Sequence, residues 1–427
     1  MFDSLVISSP KRSATKRTEW DRFFPYYAGF SESFAQSVLG TSDLDRGALV
    51  CDPWNGSGTT TYIASRLGYS SLGLDINPVM LVAARARLLS PSEADSLEPL
   101  ATRLLRFRTR PDVAYDDPLL TWYSPSLAAL IRRIETRIHE HLVGDMTVTP
   151  AGVRLDNISG MAATFYVALF AVCRFLASAF RTSNPTWVKL PRPDQPKAHV
   201  SREIFDKAFR DTTYALASIA TAKSEMLNKG NAHLRIADTT NIALEQNSID
   251  LVLTSPPYCT RLDYASATRV ELAVLHGLCS QPFAALSRKM IGSIRVPTDQ
   301  IDVSPAWGET CVKFLNMLKQ HRSKASSGYY YKTHLDYFNK IATSIENIAF
   351  GVKPNAPVIL VVQDSYYKDI HNDLPAVITE MARNQGLTLR CRRDFHLKTT
   401  FAGINTRAKK YKRPLGAIEA VLCFEKC

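Results

Sequence analysis

The chain has 427 residues, 45% of them hydrophobic, and carries 52 lysines and arginines against 40 acidic residues, a formal charge of +12. That supplies apolar content for one enlarged domain or two, and the basic excess fits a polyanionic partner. None of its eight cysteines forms Cys-x-x-Cys spacing and no His-x-Glu accompanies them, which argues against a zinc finger or zinc deaminase. Free thiols in a reducing cytoplasm are the simplest account, and no metal is expected.

At the start, apolar residues precede a Ser/Thr-rich basic run of Lys11, Arg12, Lys16 and Arg17, the reverse of the order in a secretory leader. After the segment Phe24-Pro25-Tyr26-Tyr27-Ala28-Gly29-Phe30, Ala48-Leu49-Val50-Cys51 reads as a short buried strand. Asp52-Pro53-Trp54-Asn55-Gly56-Ser57-Gly58-Thr59-Thr60 follows it, and residues 61–67 have helical apolar spacing. Glycines at a strand-to-helix turn let backbone approach a ligand closely, and the helix N-terminus behind them supplies donors. The next strand, 71–74, ends at Asp75, about 20 positions after the glycine loop, where a nucleoside-binding unit places its ribose acceptor. Asp75 also suits the start of the helix that Asn77-Pro78 opens, and the two roles are compatible. The loop is neither Gly-x-Gly-x-x-Gly nor Gly-Lys-Ser/Thr, so dinucleotides and nucleoside triphosphates fit poorly.

The third strand arrives only at Leu234-Arg235-Ile236, so residues 92–226 form an insertion with helical spacing over 94–106, 125–141, 160–181 and 202–228. Within it, the apolar stretch 161–180 approaches membrane-spanning length. Arg174 interrupts that stretch and Thr164, Cys173 and Ser178 dilute it, so a buried helix is expected and no membrane partner. A proline-broken loop, 182–196, carries Trp187, Lys189 and Arg192, with Lys197 just beyond; Trp187 there fits either packing or contact with nucleic acid.

Asp238 follows the third strand. The mostly apolar run 249–253 then ends in Thr254-Ser255-Pro256-Pro257-Tyr258. Proline lacks an amide hydrogen and restrains the residue before it to extended geometry. The loop therefore offers carbonyl oxygens with few competing donors, a hydroxyl and an aromatic face, a combination that suits a planar base with an exocyclic amine. Arg261-Leu262-Asp263-Tyr264 leads into a helix through Glu271 and Leu275. Residues 280–335 show little periodicity and many basic and aromatic residues, among them Arg288, Lys289, Arg295, Arg322, Lys324 and Tyr329-Tyr330-Tyr331-Lys332. A buried strand over 358–362 and a closing antiparallel pair, 387–389 with 417–424, complete the chain. Two further basic runs are Arg390, Arg392 and Arg393, and Arg407, Lys409, Lys410, Lys412 and Arg413 around Tyr411. The sum is an α/β, Rossmann-like sheet of about seven strands with a large, mostly helical insertion.

Asp-Pro-Trp-Asn-Gly-Ser-Gly-Thr-Thr resembles the Asp-Pro-Phe-x-Gly-Ser-Gly-Thr-Thr cofactor loop of amino-group DNA methyltransferases, which use S-adenosylmethionine to methylate cytosine N4 or adenine N6. Thr-Ser-Pro-Pro-Tyr is similar to their catalytic loop, and the segments 24–30, 73–78 and 236–238 agree with their cofactor contacts. The resemblance covers roughly residues 20–90 and 230–270 and implies a class I methyltransferase sheet. It implies a cofactor site of Tyr27, Ala28, Asp52, Pro53, Asn55, Gly56, Ser57, Gly58, Thr59, Thr60, Asp75, Ile76 and Asp238. In it Asp75 takes the ribose, Asp238 the adenine amine, and the loop from Asp52 to Gly58 the methionine portion. It also implies a catalytic set of Ser255, Pro256, Pro257 and Tyr258: the Ser255 hydroxyl and Pro256 carbonyl accept from the target amine while Tyr258 stacks on a flipped-out base. Serine in the first loop position leans the reading toward cytosine N4, with adenine N6 as the alternative and RNA amino-group methylation or a non-catalytic DNA-binding relative behind it. Cys259 is not read as a nucleophile: no Pro-Cys dipeptide occurs, and an amino nitrogen needs no covalent enzyme intermediate.

The implied partners are double-stranded DNA and a cognate restriction or defence nuclease, in a cytoplasmic, nucleoid-associated protein. The implied organisation is an arm with the cofactor half (1–91), the insertion (92–226) and the catalytic half (227–427). The insertion precedes the adenine-contact strand rather than following it, a departure from the family's arrangement, so both 92–226 and 280–335 are candidates for target recognition.

Overall fold

In the computed structural model, residues 2, 4–12, 18–26, 28–107, 113–144, 148–149, 152–153, 155–182, 187–222, 230–259, 264–279, 282–295, 300–397 and 416–427 are described. Four short parallel strands carry the sheet's centre: β1 (Leu49–Asp52), β2 (Ser70–Asp75), β3 (Ala232–Ile236) and β4 (Leu251–Thr254). β5 (Pro357–Gln363) joins them in parallel, and β6 (Leu387–Leu397) and β7 (Ala417–Lys426) close the sheet antiparallel. The order across the sheet is β6-β7-β5-β4-β1-β2-β3. This is the Rossmann-like sheet of seven strands that the sequence led us to expect. The order reverses between β1 and β4, so the first two strand–helix units run one way from β1 and the rest run the other.

Side chains alternate through the sheet, as period-two geometry requires. Val50, Leu251, Leu253, Ile359 and Val361 face one core, which helices α1 (Glu32–Gly40) and α2 (Thr59–Leu67) cover. Cys51, Val252, Val358, Leu360 and Val362 face the other, which α8 (Glu309–Gln320), α9 (Tyr331–Gly351) and α10 (Leu374–Arg383) cover. Burial on both faces explains why 358–362 reads as an unbroken apolar run.

The insertion contributes α4 (Leu97–Leu105), α5 (Pro125–Ile138), α6 (Gly160–Leu176) and α7 (Arg202–Ala222), following α3 (Pro78–Arg87). These helices share one continuous core with α3, Leu234 and the segment 270–278. Two insertion arginines tie that core to the helical turns at 264–278. Arg174 reaches Glu271 (Nε to Oε1, 2.6 Å) and the Ala267 carbonyl (2.8 Å), both in the helical turns after the catalytic loop. Arg132 donates to the carbonyls of Ala273 (3.0 Å) and Val274 (2.8 Å) and pairs with Asp117.

The stretch 280–335 is more ordered than its sequence suggests, holding a short helix, Phe283–Lys289, and all of α8. Its tyrosines are packed rather than presented: Tyr330 lies 4.8 Å from Tyr367 between ring centres, and Tyr329 donates to the Ile294 carbonyl. Arg288, Lys289, Arg295, Arg322 and Lys324 are exposed. β6 runs eight residues past the predicted 387–389 and carries Arg390, paired with Glu425, and Arg392, paired with Asp394. The run around Tyr411, Lys16 and Arg17, Arg261 to Asp263 and the 183–186 part of the Trp187 loop lie outside the described residues. Among those described, no helix is long and apolar enough to cross a membrane, no group of acidic, His or Cys residues could hold a metal, and α6 is a buried core helix.

Candidate active site

The C-terminal ends of β1, β2, β3 and β4 come together where the strand order reverses, the crevice in which open α/β sheets bind ligands. Asp52, the last residue of β1, is 3% exposed and stands at its centre. One carboxylate oxygen accepts from the Thr60 hydroxyl (2.6 Å) at the start of α2. The other accepts from the Thr254 hydroxyl (2.5 Å) at the end of β4 and from the Trp54 amide (3.1 Å). The Leu253 carbonyl, 3.1 Å from the same Thr60 hydroxyl, is its alternative acceptor. One carboxylate thus fastens the glycine loop to the Pro-Pro loop across 202 positions of sequence. Burial pushes its pKa up to about 6 against the pull of these donors.

The glycine loop is shaped by close approaches. Gly56 has φ 50°, and a Cβ there would lie 3.0 Å from the Tyr26 ring. Gly58, with φ 81°, opens α2, and a Cβ would meet that of Ala84 at 2.6 Å. Only glycine fits both constraints. Asn55 accepts from the Thr61 hydroxyl (3.1 Å) and lies against Gly73, where a Cβ would come 2.5 Å from its amide nitrogen. Pro53 and Ser57 are buried in the same turn. Thr59 accepts from Arg87 (3.2 Å), whose guanidinium also pairs with Glu32 and covers the Tyr62 ring.

Asp75 ends β2 with each oxygen accepting one amide, from Gly56 (3.0 Å) and Asn77 (2.8 Å). Asp75 thus braces the start of the next helix, whose cap is Asn77 rather than Asp75 itself, and borders the glycine loop. Burial raises its pKa to about 7. Asn77 caps α3 and donates to Thr268 beyond the catalytic loop (2.9 Å). Ile76 packs beside Ala265, Leu286 and Met290. Asp238 accepts from Thr240 through one oxygen, and among the described residues nothing donates to the other. Ala28 is half-buried; Tyr27 lies outside the described residues. Its neighbour Tyr26 is the aromatic that faces Gly56, with a phenol pushed well above its usual pKa by burial and then by Asp75. The sequence reading names Tyr27 and passes over Tyr26.

In the Pro-Pro loop the Ser255 hydroxyl donates to the Val361 carbonyl of β5 (3.0 Å) and lies 3.4 Å from the Tyr258 hydroxyl. Tyr258 donates to Glu419 Oε1 on β7 (3.1 Å), and its own amide donates to the Tyr264 hydroxyl (3.1 Å). Tyr337 of α9 takes up the Pro257 carbonyl (2.7 Å). Among the described residues nothing donates to the carbonyl of buried Pro256, which stays an open acceptor beside Ser255. Burial raises the Cys259 thiol to about 12, so it is no thiolate. Tyr264, Tyr337 and Glu419 are the participants that sequence reading missed. They reach the loop from up to 161 positions away, and only the register of β7 against β5, pairing Glu419 with Gln363, brings the last of them in.

Over 298 residues the chain is 25% identical to the type II methyltransferase M.BsoBI of Geobacillus stearothermophilus, an alignment covering 61% of this chain and 54% of that protein. The chain therefore spans about half the length of the relative it matches. No family model matches it. Similar solved structures include a SAM-dependent methyltransferase from Methanosarcina mazei, 9% identical, covering 91% of this chain and 96% of that one at a TM-score of 0.29. The rRNA methyltransferase aviRa from Streptomyces viridochromogenes is 12% identical over 97% of this chain and 96% of its own, also at 0.29. A 16S rRNA (adenine(1408)-N(1))-methyltransferase from Catenulisporales acidiphilia is 11% identical over 50% and 70%, at 0.20. Superpositions this loose carry no argument, and the fold rests on the chain's own sheet order.

Proposed function

We propose that this chain is an S-adenosylmethionine-dependent methyltransferase that modifies the exocyclic N4 of a cytosine flipped out of double-stranded DNA. The observation that carries the reading is the Asp52 bridge, which holds a glycine loop and an acceptor-lined Pro-Pro loop side by side at the sheet's switch point. The similarity to a type II methyltransferase supports the methyl-transfer part. Ser255 at the first loop position supports cytosine over adenine, and the +12 charge with exposed Arg288, Lys289 and Arg295 supports a nucleic acid. Gly292, in the same segment as those three, lies beside Tyr258. A cognate restriction or defence nuclease is the partner this reading brings with it.

The residues present suit the cofactor. Asp238 has an oxygen free for an adenine amine, Asp75 has lone pairs left for ribose hydroxyls, and the turn at Gly56 and Gly58 has no Cβ to obstruct a close ligand. S-adenosylmethionine, when bound, supplies an electrophilic methyl on a sulfonium. The target amine is a poor nucleophile because its lone pair is delocalised into the ring. The Ser255 oxygen and Pro256 carbonyl would accept its two hydrogens, favour pyramidal nitrogen and stabilise the positive charge that grows on it as it is methylated, one of those hydrogens then leaving to solvent as a proton. Tyr258 supports the extruded base, and in-line positioning supplies much of the rate.

The test is to incubate the protein with labelled S-adenosylmethionine and duplex DNA or RNA and to separate the nucleosides. Label in N4-methylcytosine is expected. Label in N6-methyladenine overturns the base assignment, label in RNA alone overturns the substrate, and no label overturns the activity.

A further inference from the structure

A serine oxygen serves an incoming amine only if no nearby donor already points at it. Ser255 has a single hydrogen, and the Val361 carbonyl receives it at 3.0 Å. The hydroxyl that could block its lone pairs is that of Tyr258, at 3.4 Å. The Tyr258 hydrogen is drawn away by Glu419 Oε1 at 3.1 Å. Glu419 is 8% exposed, and its Oε2 is buried without a hydrogen-bond partner among the described residues. A carboxyl group in this position accepts from Tyr258 through Oε1 whether it is ionised or protonated on Oε2.

We propose that Glu419 is a positioning residue that sets the hydrogen-bond polarity of the target loop: by holding the Tyr258 hydrogen it keeps Ser255 an acceptor for the substrate amine. The inference rests on the methyl-transfer reading above and deepens it. Glu419 touches neither substrate nor cofactor; it acts through Tyr258 on Ser255.

Glu419→Gln tests this with almost no change of shape. An amide can place either its oxygen or its NH2 toward Tyr258. With the NH2 there, its donors find the phenol oxygen and the amide oxygen takes the site that an acceptor already occupies unpaired. The other orientation buries an NH2 group with no acceptor for either hydrogen, the costlier arrangement. The first orientation wins, and the Tyr258 hydrogen then turns to Ser255.

The experiment measures kcat and the KM for S-adenosylmethionine on duplex DNA for wild type, Glu419→Gln, Tyr258→Phe and the double variant, with melting temperatures alongside. The expected result is a kcat about tenfold lower in Glu419→Gln at unchanged KM, corresponding to one hydrogen bond. Tyr258→Phe, which removes the blocking donor, loses less, and in its background Glu419→Gln has no further effect on kcat. Equal losses from Glu419→Gln in both backgrounds would mean that Glu419 acts without the Tyr258 hydroxyl, and a Tyr258→Phe variant as impaired as Glu419→Gln or worse would mean that it merely anchors the ring; either result overturns the proposal. Should Glu419→Gln melt below the assay temperature, Glu419→Met takes its place, since it too leaves Tyr258 with Ser255 as the nearest acceptor. A wild-type chain that binds S-adenosylmethionine yet methylates no nucleic acid breaks the parent reading, and this one with it. Wild-type activity with an unaffected Glu419→Gln kcat breaks this one alone.

Discussion

The two loops that meet at the switch point treat their polar groups in opposite ways. In the glycine loop nearly every side-chain acceptor is taken internally: Asp52 by three donors, Asn55 by Thr61, Thr59 by Arg87 and Asp75 by two amides. In the Pro-Pro loop acceptors are left over, the Pro256 carbonyl and the Ser255 lone pairs, with Glu419 Oε2 of β7 unpaired behind them. A cofactor of fixed shape needs a prebuilt backbone cradle, whereas a nucleophile that must be activated in place needs open valence. On the function proposed above, the first loop is finished before its cofactor arrives and the second is completed by the substrate.

The sharpest break in that comparison comes from Asp52→Ala. It strips the acceptor from Thr254 and the Trp54 amide and leaves Thr60 only the Leu253 carbonyl. A loss of about 3 kcal/mol in urea unfolding is expected, with methyl transfer abolished. A loss below about 1 kcal/mol would show that the glycine loop is not locked in this way.

The next prediction concerns Asp75, the carboxylate that borders the glycine loop from the end of β2 and, on the proposed reading, holds the ribose. Burial raises its pKa from 3.8 to about 7, so the fold prefers it protonated. The stability this group contributes is complete below pH 3.8 and is lost as pH climbs toward 7. Ribose hydroxyls donating to it favour the ionised form. Binding of S-adenosylmethionine should therefore release protons near neutrality and tighten as pH rises through 7. Calorimetry in two buffers of different ionisation enthalpy reads that release directly. Asp75→Asn should abolish it and weaken binding about tenfold, and a wild type that releases none would remove the ribose role.

The smallest effects belong to the basic flank. Arg288→Ala, Lys289→Ala and Arg295→Ala should each weaken duplex binding without regard to sequence and lower the slope of log affinity against log salt by about 1. An unchanged slope would put the duplex elsewhere, and the insertion would become the stronger candidate.

The parts of the site legible in the sequence are those made by contiguous residues. The glycine loop needs Gly56 and Gly58 in place, and the target loop needs Pro256 and Pro257, so both announce themselves. Tyr337 and Glu419 do not, because an isolated tyrosine in a helix and a glutamate in a strand carry no local pattern; strand register alone gives them a role. The fold divides the same way. The buried strand 357–363 is an apolar run, while β6 beyond Leu389 lies on a sheet edge with Arg390 and the consecutive Arg392, Arg393 and Asp394 exposed, and so shows no strand pattern. α8 went unread because its apolar face, Cys311, Phe314, Leu315 and Leu318, is short and set among polar residues.

The ion pair between Arg174 and Glu271 limits how this chain can vary. Glu271 is 1% exposed and its counter-charge comes from the insertion, not from the catalytic half that carries it. A buried carboxylate stripped of its partner costs about 3–5 kcal/mol. The insertion is therefore not a cassette that recombination can trade for another of similar size. Any replacement would have to deliver a cation to the same spot behind the target loop, or arrive together with an apolar residue at position 271. Changes of specificity in this chain are then easier to reach by altering exposed loops than by exchanging the helices that carry them.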